Sequence, residues 1–277
     1  MKRLSKISSG LYIFLCFGFF YLPILITVIY SFNSSKSLTH FTGFSFRWYR
    51  ELLNDASIMS AVSVSVSIAI ISTIISTILG TITAIGLSKS KKILREIVLN
   101  INNIPLMNPD IVTAIGLMIF FSALKIEKGY FTMLIAHISF STPYVITSVY
   151  PKTKELDPNL ANAAMDLGAT PMQALTKVIL PLLKPGIYAG ILLAFTMSFD
   201  DFIISYFVSG NGVMNISIVV YNMTKRTNPT INALSTIVIL VIIAALIVLN
   251  LVVPKLRKKM SHETYNKTPF FNYERKD

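Results

Sequence analysis

Four stretches of this chain continue past the width of a lipid bilayer without a single Asp, Glu, Lys or Arg: residues 11–32, 56–88, 129–151 and 227–254. A helix rises about 1.5 Å per residue and the hydrocarbon core is about 30 Å thick, so about 20 apolar residues suffice to cross it. Two further apolar stretches cross only by taking acids with them, 97–124 around Asp110 and 185 to about 207 around Asp200 and Asp201. An isolated strand in lipid leaves its backbone groups unsatisfied, so all six are expected to be helices, even where Ser63 to Ser67 alternates like a strand. The expected fold class is all-α, a polytopic membrane protein with about six transmembrane helices. With 53% hydrophobic residues, 14% charged and a mean hydropathy of +0.63, an ordinary soluble domain is excluded.

A net charge of +12 raises the question of a nucleic-acid partner, and the positions of the charges answer it. With the N-terminus in the cytoplasm, eighteen of the 25 Lys and Arg residues fall in cytoplasmic segments: the first residues, 89–95, 152–184 and the tail from 255. That is the positive-inside bias, so both termini are expected in the cytoplasm, the basic residues to serve topology and lipid contact, and no nucleic acid to be bound. Lys2, Arg3 and Lys6 precede an apolar run too long for a cleaved signal, so residues 11–32 are read as an uncleaved first helix. Cys16 is the single cysteine, which excludes a disulfide within the chain. Residues 1–254 are expected to form one transmembrane domain, with 255–277 a flexible polar tail on the cytoplasmic side.

Local signals refine this outline. Phe46 to Leu53, in the outer loop 33–55, reads as a short interfacial helix with Trp48 and Tyr49 in the aromatic belt. Ser72, Ser76, Gly80 and Ala84 recur every four residues, a stripe on which another helix can pack closely. Asn108-Pro109-Asp110 inside the third span implies a broken or late-starting helix facing protein or water. In the segment 152–184, Asp157-Pro158 reads as a helix start and Gly168 as its stop; Thr170-Pro171 reads as a second start and Pro181 as a second stop. Two short amphipathic helices are therefore expected there, on the cytoplasmic side. Ser209 to Gly212 is a turn signal, with an outer loop running on to about residue 228.

Intramembrane carboxylates are functional by default, because each costs on the order of 2.5–3.5 kcal/mol at the centre of a span. Asp110, Asp200 and Asp201 are therefore candidate pathway residues, together with Tyr206 and with His137 in the fourth span. On a continuous helix Asp201 shares a polar face with Ser198 and Ser205 and is the acid expected to be more exposed to the pathway. The alternative for these acids is a set of interhelical hydrogen bonds or salt bridges, and for His137 likewise. His40 and His262 stand apart from His137, so no metal site is expected; no nucleophile and base are paired, so no catalytic residue is assigned.

Positions 162 to 181 read NAAMDLGATPMQALTKVILP. This resembles the EAA loop of ABC-importer permeases: Glu-Ala-Ala, three residues, Gly, nine residues, an aliphatic, any residue, then Leu-Pro. Asn162 stands at the glutamate position and Val178 at the isoleucine position. Trp48-Tyr49, Asn108 to Val112 and Ser198 to Asp201 extend the resemblance toward the spermidine/putrescine permeases of that family, up to about residue 250. The resemblance implies a type I ABC importer permease fold with cytoplasmic coupling helices, in a bacterial inner membrane. It implies a non-catalytic subunit forming half of a polyamine pathway with a second homologous permease. It also implies two copies of a cytoplasmic ATPase carrying ATP and Mg, and an extracytoplasmic solute-binding protein. Asn162, Ala163, Ala164, Gly168, Leu180 and Pro181 then couple to the ATPase. No G-x-x-x-x-G-K occurs in the chain, so no cofactor is expected to bind it and the motor is expected in another subunit. An importer of another solute and an ion-coupled secondary transporter remain as alternatives, although no inverted repeat is evident. A membrane-embedded enzyme is disfavoured by the lack of a clustered His/Asp motif.

Overall fold

The computed structural model describes residues 2–37, 39–225, 229–244 and 247. Its contacts divide the chain into two units, residues 1–54 with 226–277, and residues 55–225. The first unit opens with α1 (Lys2–Tyr30), most of whose apolar side chains from Tyr12 onward are exposed and none buried. α2 (Arg47–Asn54) forms where the short outer helix is expected, but Trp48 is not in an aromatic belt. It is 1% exposed, and its indole N–H donates to the Asn33 carbonyl at 2.6 Å. Asn33 explains the difference. Its amide donates to the carbonyls of Ser37 and His40 and accepts from the Thr42 N–H, closing the loop into a frame that takes the indole as its anchor.

In the second unit, α3 (Ala56–Lys89) starts where the Asp55 carboxylate accepts from the N–H groups of Ser57 and Ile58. Its 34 residues span roughly 51 Å, more than the hydrocarbon core, so the serine alternation is overridden by length as expected. α4 (Lys92–Met107) and α5 (Asp110–Ala123) meet at 107° across Asn108-Pro109, so the third span is broken and begins earlier than residue 97. Pro109 offers no N–H, and Asn108 before it is extended at ψ 143°. α6 (Tyr130–Lys154) lies between α3 and α9 (Leu180–Phe199), with Val145 between two glycines. A Cβ on Gly80 would stand 2.6 Å from Val145 Cβ, and one on Gly190 3.2 Å from Val145 Cα. Ser72, Ser76, Gly80 and Ala84 are all buried in this contact, the packing stripe read from sequence.

The segment between α6 and α9 departs from expectation at both ends. α7 (Leu160–Asp166) starts two residues late: Asp157 and Pro158 form the turn before it, and Asn159 is the cap. It stops at Gly168, φ +87°, where the Gly168 N–H bonds Met165 O and the Ala169 N–H bonds Ala164 O, a Schellman closure. α8 (Pro171–Ala174) opens with a reciprocal box between Thr170 and Gln173. Pro181 does not end this helix. A π turn at Leu175–Ile179 joins α8 to α9, so one helix runs from Pro171 to Phe199. The Leu180 N–H reaches back to Leu175 O, widening the turn just before the residue that has no N–H to donate.

Beyond α9 come α10 (Ile203–Val208) and α11 (Ile216–Lys225). The second forms where an irregular loop was expected, its N-terminus capped by Asn215 Oδ1 accepting from the Ile218 N–H. Gly210 and Gly212, both at positive φ, make the intervening turn. α12 (Thr230–Ala244), in the first unit, is the described part of the sixth span. Among the described residues four helices are long and apolar enough to cross a membrane, five when α4 and α5 count as one broken span. The polar tail 255–277 and His262 lie outside the described residues.

Candidate functional site

The fifth span is broken where sequence placed an uninterrupted helix. α9 ends at Phe199, Asp200 adopts φ −97° and ψ 0°, and α10 begins after Phe202. The break separates the two adjacent acids. Asp201, expected to be the pathway-facing one, turns inward with its side chain only 8% exposed. Its carboxylate caps α10, accepting from the N–H of Ile204 at 3.2 Å, the N–H of Ser205 at 2.7 Å and the Ser205 hydroxyl at 2.8 Å. The helical face shared with Ser198 and Ser205 does not exist as such, because Ser198 belongs to α9 and Ser205 to α10.

Asp200 stays exposed while its backbone is tied down: the N–H donates to Thr196 O at 3.3 Å and the carbonyl accepts from the Ser217 hydroxyl at 3.2 Å. Beside it an aromatic group assembles: Phe202 lies 5.5 Å from Tyr206 and 4.8 Å from Tyr221 between ring centroids, with Tyr206 and Tyr221 6.0 Å apart. Tyr206 is half-exposed. Asp110 opens α5, where its charge suits the positive end of the helix, and it is exposed within electrostatic reach of Tyr144 and Asp201. No ion pair engages Asp110 or Asp200 among the described residues.

His137 is 1% exposed and faces protein on every side, which places it away from any open pathway. Its Nδ1 lies 2.7 Å from Ser198 Oγ and its Nε2 3.0 Å from Ser205 Oγ, with Asp201 Oδ2 at 3.6 Å. Sequence reading did not single out Asn215, whose amide donates to the Asp201 carbonyl at 2.8 Å and to Ser205 Oγ at 2.9 Å. The signal was present: an Asn immediately before Ile216-Ser217-Ile218-Val219-Val220, a run apolar except for Ser217. Ser72, whose hydroxyl meets Ser198 Oγ at 2.9 Å, and Tyr221 were likewise not anticipated in these roles. No group of three metal-binding side chains occurs among the described residues.

At the opposite end of α9, the residues 160–174 present an open surface. Asn162, Ala163 and Gly168 are exposed, and Leu167 is 90% exposed. Beneath the loop, Ala161, Met165, Ala174 and Leu175 face Ile85 and Leu156 across a cavity of about 330 Å³. Leu180 and Pro181 follow the π turn, inside the continuous helix Pro171–Phe199.

Residues 76–262 match the family model described as the binding-protein-dependent transport system inner membrane component. The chain belongs to that family. It is 40% identical over 236 residues to the putrescine transport system permease protein PotI of Escherichia coli K12, covering 80% of this chain and 82% of that protein. It is 34% identical over 250 residues to the spermidine/putrescine transport system permease protein PotC of the same organism, covering 90% and 95%. A PotC homolog of Mycoplasma genitalium matches at 31% over 257 residues, covering 87% and 89%. Among solved structures, a bacterial ABC transporter involved in the import of the acidic polysaccharide alginate superposes with a TM-score of 0.70 at 18% identity, covering 92% of this chain and 96% of that one. The same fold is thus present here. As a member of the family the chain is an inner-membrane component, and the relatives named above are permease proteins.

Proposed function

We propose that this chain is the transmembrane permease subunit of an ATP-driven importer of polyamines, forming half of the pathway with a second, homologous permease. Two copies of a cytoplasmic ATPase bind the ATP and Mg, one of them docking on this chain around Asn162, Ala163, Ala164 and Gly168, while an extracytoplasmic solute-binding protein delivers the cargo. Both termini lie in the cytoplasm, as the distribution of basic residues favours. The chain itself catalyses nothing and holds no cofactor. The names of its relatives, putrescine and spermidine/putrescine permeases at 34–40% identity, support the cargo class.

The observation that carries the reading is the exposed Asp200 carboxylate at the C-terminal end of the apolar helix Pro171–Phe199, two residues before Phe202, whose ring lies against Tyr206 and Tyr221. A polyamine carries ammonium groups spaced along an alkyl chain. Carboxylate pairing and contact with aromatic faces suit such a cation better than they suit sulfate or phosphate. Asp110, exposed at the start of α5, supplies a second acid for the next ammonium. A charge-assisted hydrogen bond contributes about 1.5–3 kcal/mol, equivalent to roughly 10- to 150-fold in affinity.

The complex reconstituted with its partner subunits in proteoliposomes and supplied with radiolabelled spermidine tests this directly. Asp200→Asn is expected to lower uptake within that range at unchanged assembly, and omission of the ATPase is expected to abolish it. Normal uptake by Asp200→Asn removes the acid from the pathway; uptake without any ATPase overturns the importer assignment.

A further inference from the structure

The two halves of the broken fifth span are joined through side chains, and one imidazole touches both. We propose that His137 is a positioning residue, a clamp that holds α9 and α10 at one angle so that Asp200 and the aromatic group keep their place. This rests on the pathway reading above.

The hydrogen bonds have a direction. The Ser205 hydroxyl gives its proton to the Asp201 carboxylate, which leaves Ser205 Oγ as an acceptor toward its other neighbours. One of those is the Asn215 amide at 2.9 Å, a donor; the other is His137 Nε2 at 3.0 Å, which must then carry a proton. In a neutral ring Nδ1 is the acceptor, and the Ser198 hydroxyl lies 2.7 Å from it. Ser72 Oγ, 2.9 Å from Ser198 Oγ, completes the sequence from α3. From Asn215 and His137 the donors converge on Ser205 Oγ, which passes its own proton to the acceptor-only Asp201 carboxylate, so removing Ser205 or His137 leaves a buried partner unsatisfied.

The placement gives the network its effect. Ser198 sits in the last turn of α9 and Ser205 in α10, so His137 on α6 reaches across the break to both. Asp201 caps α10 from the break itself, and Asn215 ties the start of α11 to the same point through the Asp201 carbonyl. A bend without proline or glycine at its centre has no backbone reason to keep one angle. Here the polar bridge supplies it.

The test uses the assembled importer in lipid nanodiscs with Cys16→Ser, carrying nitroxide labels on Leu193→Cys in α9 and Thr224→Cys in α11, both at exposed sites. The distance distribution between the labels is measured by pulsed electron resonance, and uptake of spermidine is measured alongside in proteoliposomes. His137→Leu and Ser205→Ala are each expected to broaden or shift the distribution and to lower uptake about tenfold, the order that one lost buried hydrogen bond is worth. His137→Gln, which keeps a donor and an acceptor, is expected to stay nearer the parent. Parental distributions in both Ser205→Ala and His137→Leu overturn the clamp, as does Gln broadening as much as Leu. Should His137→Leu fail to assemble, Ser205→Ala, which removes a single oxygen, decides. Asp200→Asn separates the two ideas: it is expected to keep the parental distribution while losing uptake. Full uptake by Asp200→Asn with a broadened Ser205→Ala leaves the clamp standing and removes the pathway role of the acid.

Discussion

Gly80 and Gly86 lie on the same helix and carry opposite expectations. A Cβ at Gly80 would meet Val145 Cβ at 2.6 Å, whereas nothing lies within 4 Å of one at Gly86. Gly80→Ala is therefore expected to lower stability by about 1–3 kcal/mol through overpacking, and Gly86→Ala to raise it by roughly 0.5–1 kcal/mol through backbone entropy. Thermal unfolding of the purified protein in detergent reads both; equal shifts would discard the close approach of α3 and α6. The same contrast between neighbours governs the acids. Asp200 and Asp201 are indistinguishable as residue types in an apolar run, and only the turn at 200–202 sends one outward and the other into the cap of α10. A helical-face argument could not find this, because it assumed the continuous helix that those two residues interrupt.

At the scale of elements, the loop between α6 and α9 was legible in outline. Gly168 as a stop and Thr170-Pro171 as a restart each depend on one or two residues with their own conformational reasons, positive φ and a capping box. Gly168→Ala costs roughly 1–2 kcal/mol for an L-residue in the left-handed region, and Thr170→Ala costs about 1 kcal/mol for the lost cap. Both are expected to speed amide exchange across residues 160–174 by about 5- to 30-fold while leaving α6 protected. Unchanged exchange in both variants would mean that other contacts, not these caps, set the order of the loop. Pro181 misled because a proline ordinarily ends a helix. The π turn at Leu175–Ile179 removes the conflict, and a five-residue hydrogen-bond register has no signature in composition.

Across the whole molecule, one helix from Pro171 to Phe199 runs from the exposed surface at 160–174 to the edge of the candidate site, the path that the proposed coupling would use. A cysteine at Leu167, in a Cys16→Ser background, is expected to crosslink to the ATPase partner in intact cells, since that side chain is almost wholly exposed. Failure to crosslink from Leu167, and from Met172 as well, would remove the loop from the docking surface. The fold alone does not choose the cargo: at a TM-score of 0.70 it is shared with a transporter involved in import of an acidic polysaccharide. On the proposed reading the choice rests with side chains such as Asp200 and Tyr206, and the loss of uptake expected of Asp200→Asn checks it.

The all-helical membrane class and the helix stop and restart at Gly168 and Thr170-Pro171 followed from the sequence alone, because apolar length and glycine or proline at a cap act over a few neighbouring residues; of the six spans expected, four or five are shown among the described residues. Tertiary structure decided that Asp201 and His137 are buried in a polar network, that Trp48 anchors a loop, and that α9 passes through Pro181. The first two outcomes depend on partners distant in the chain, His137 with Ser198 and Ser205 and Trp48 with Asn33, while the third depends on the π register at Leu175–Ile179. Hydrogen bonds and close packing are made only once distant segments meet, and no local pattern of residues records which segments those will be.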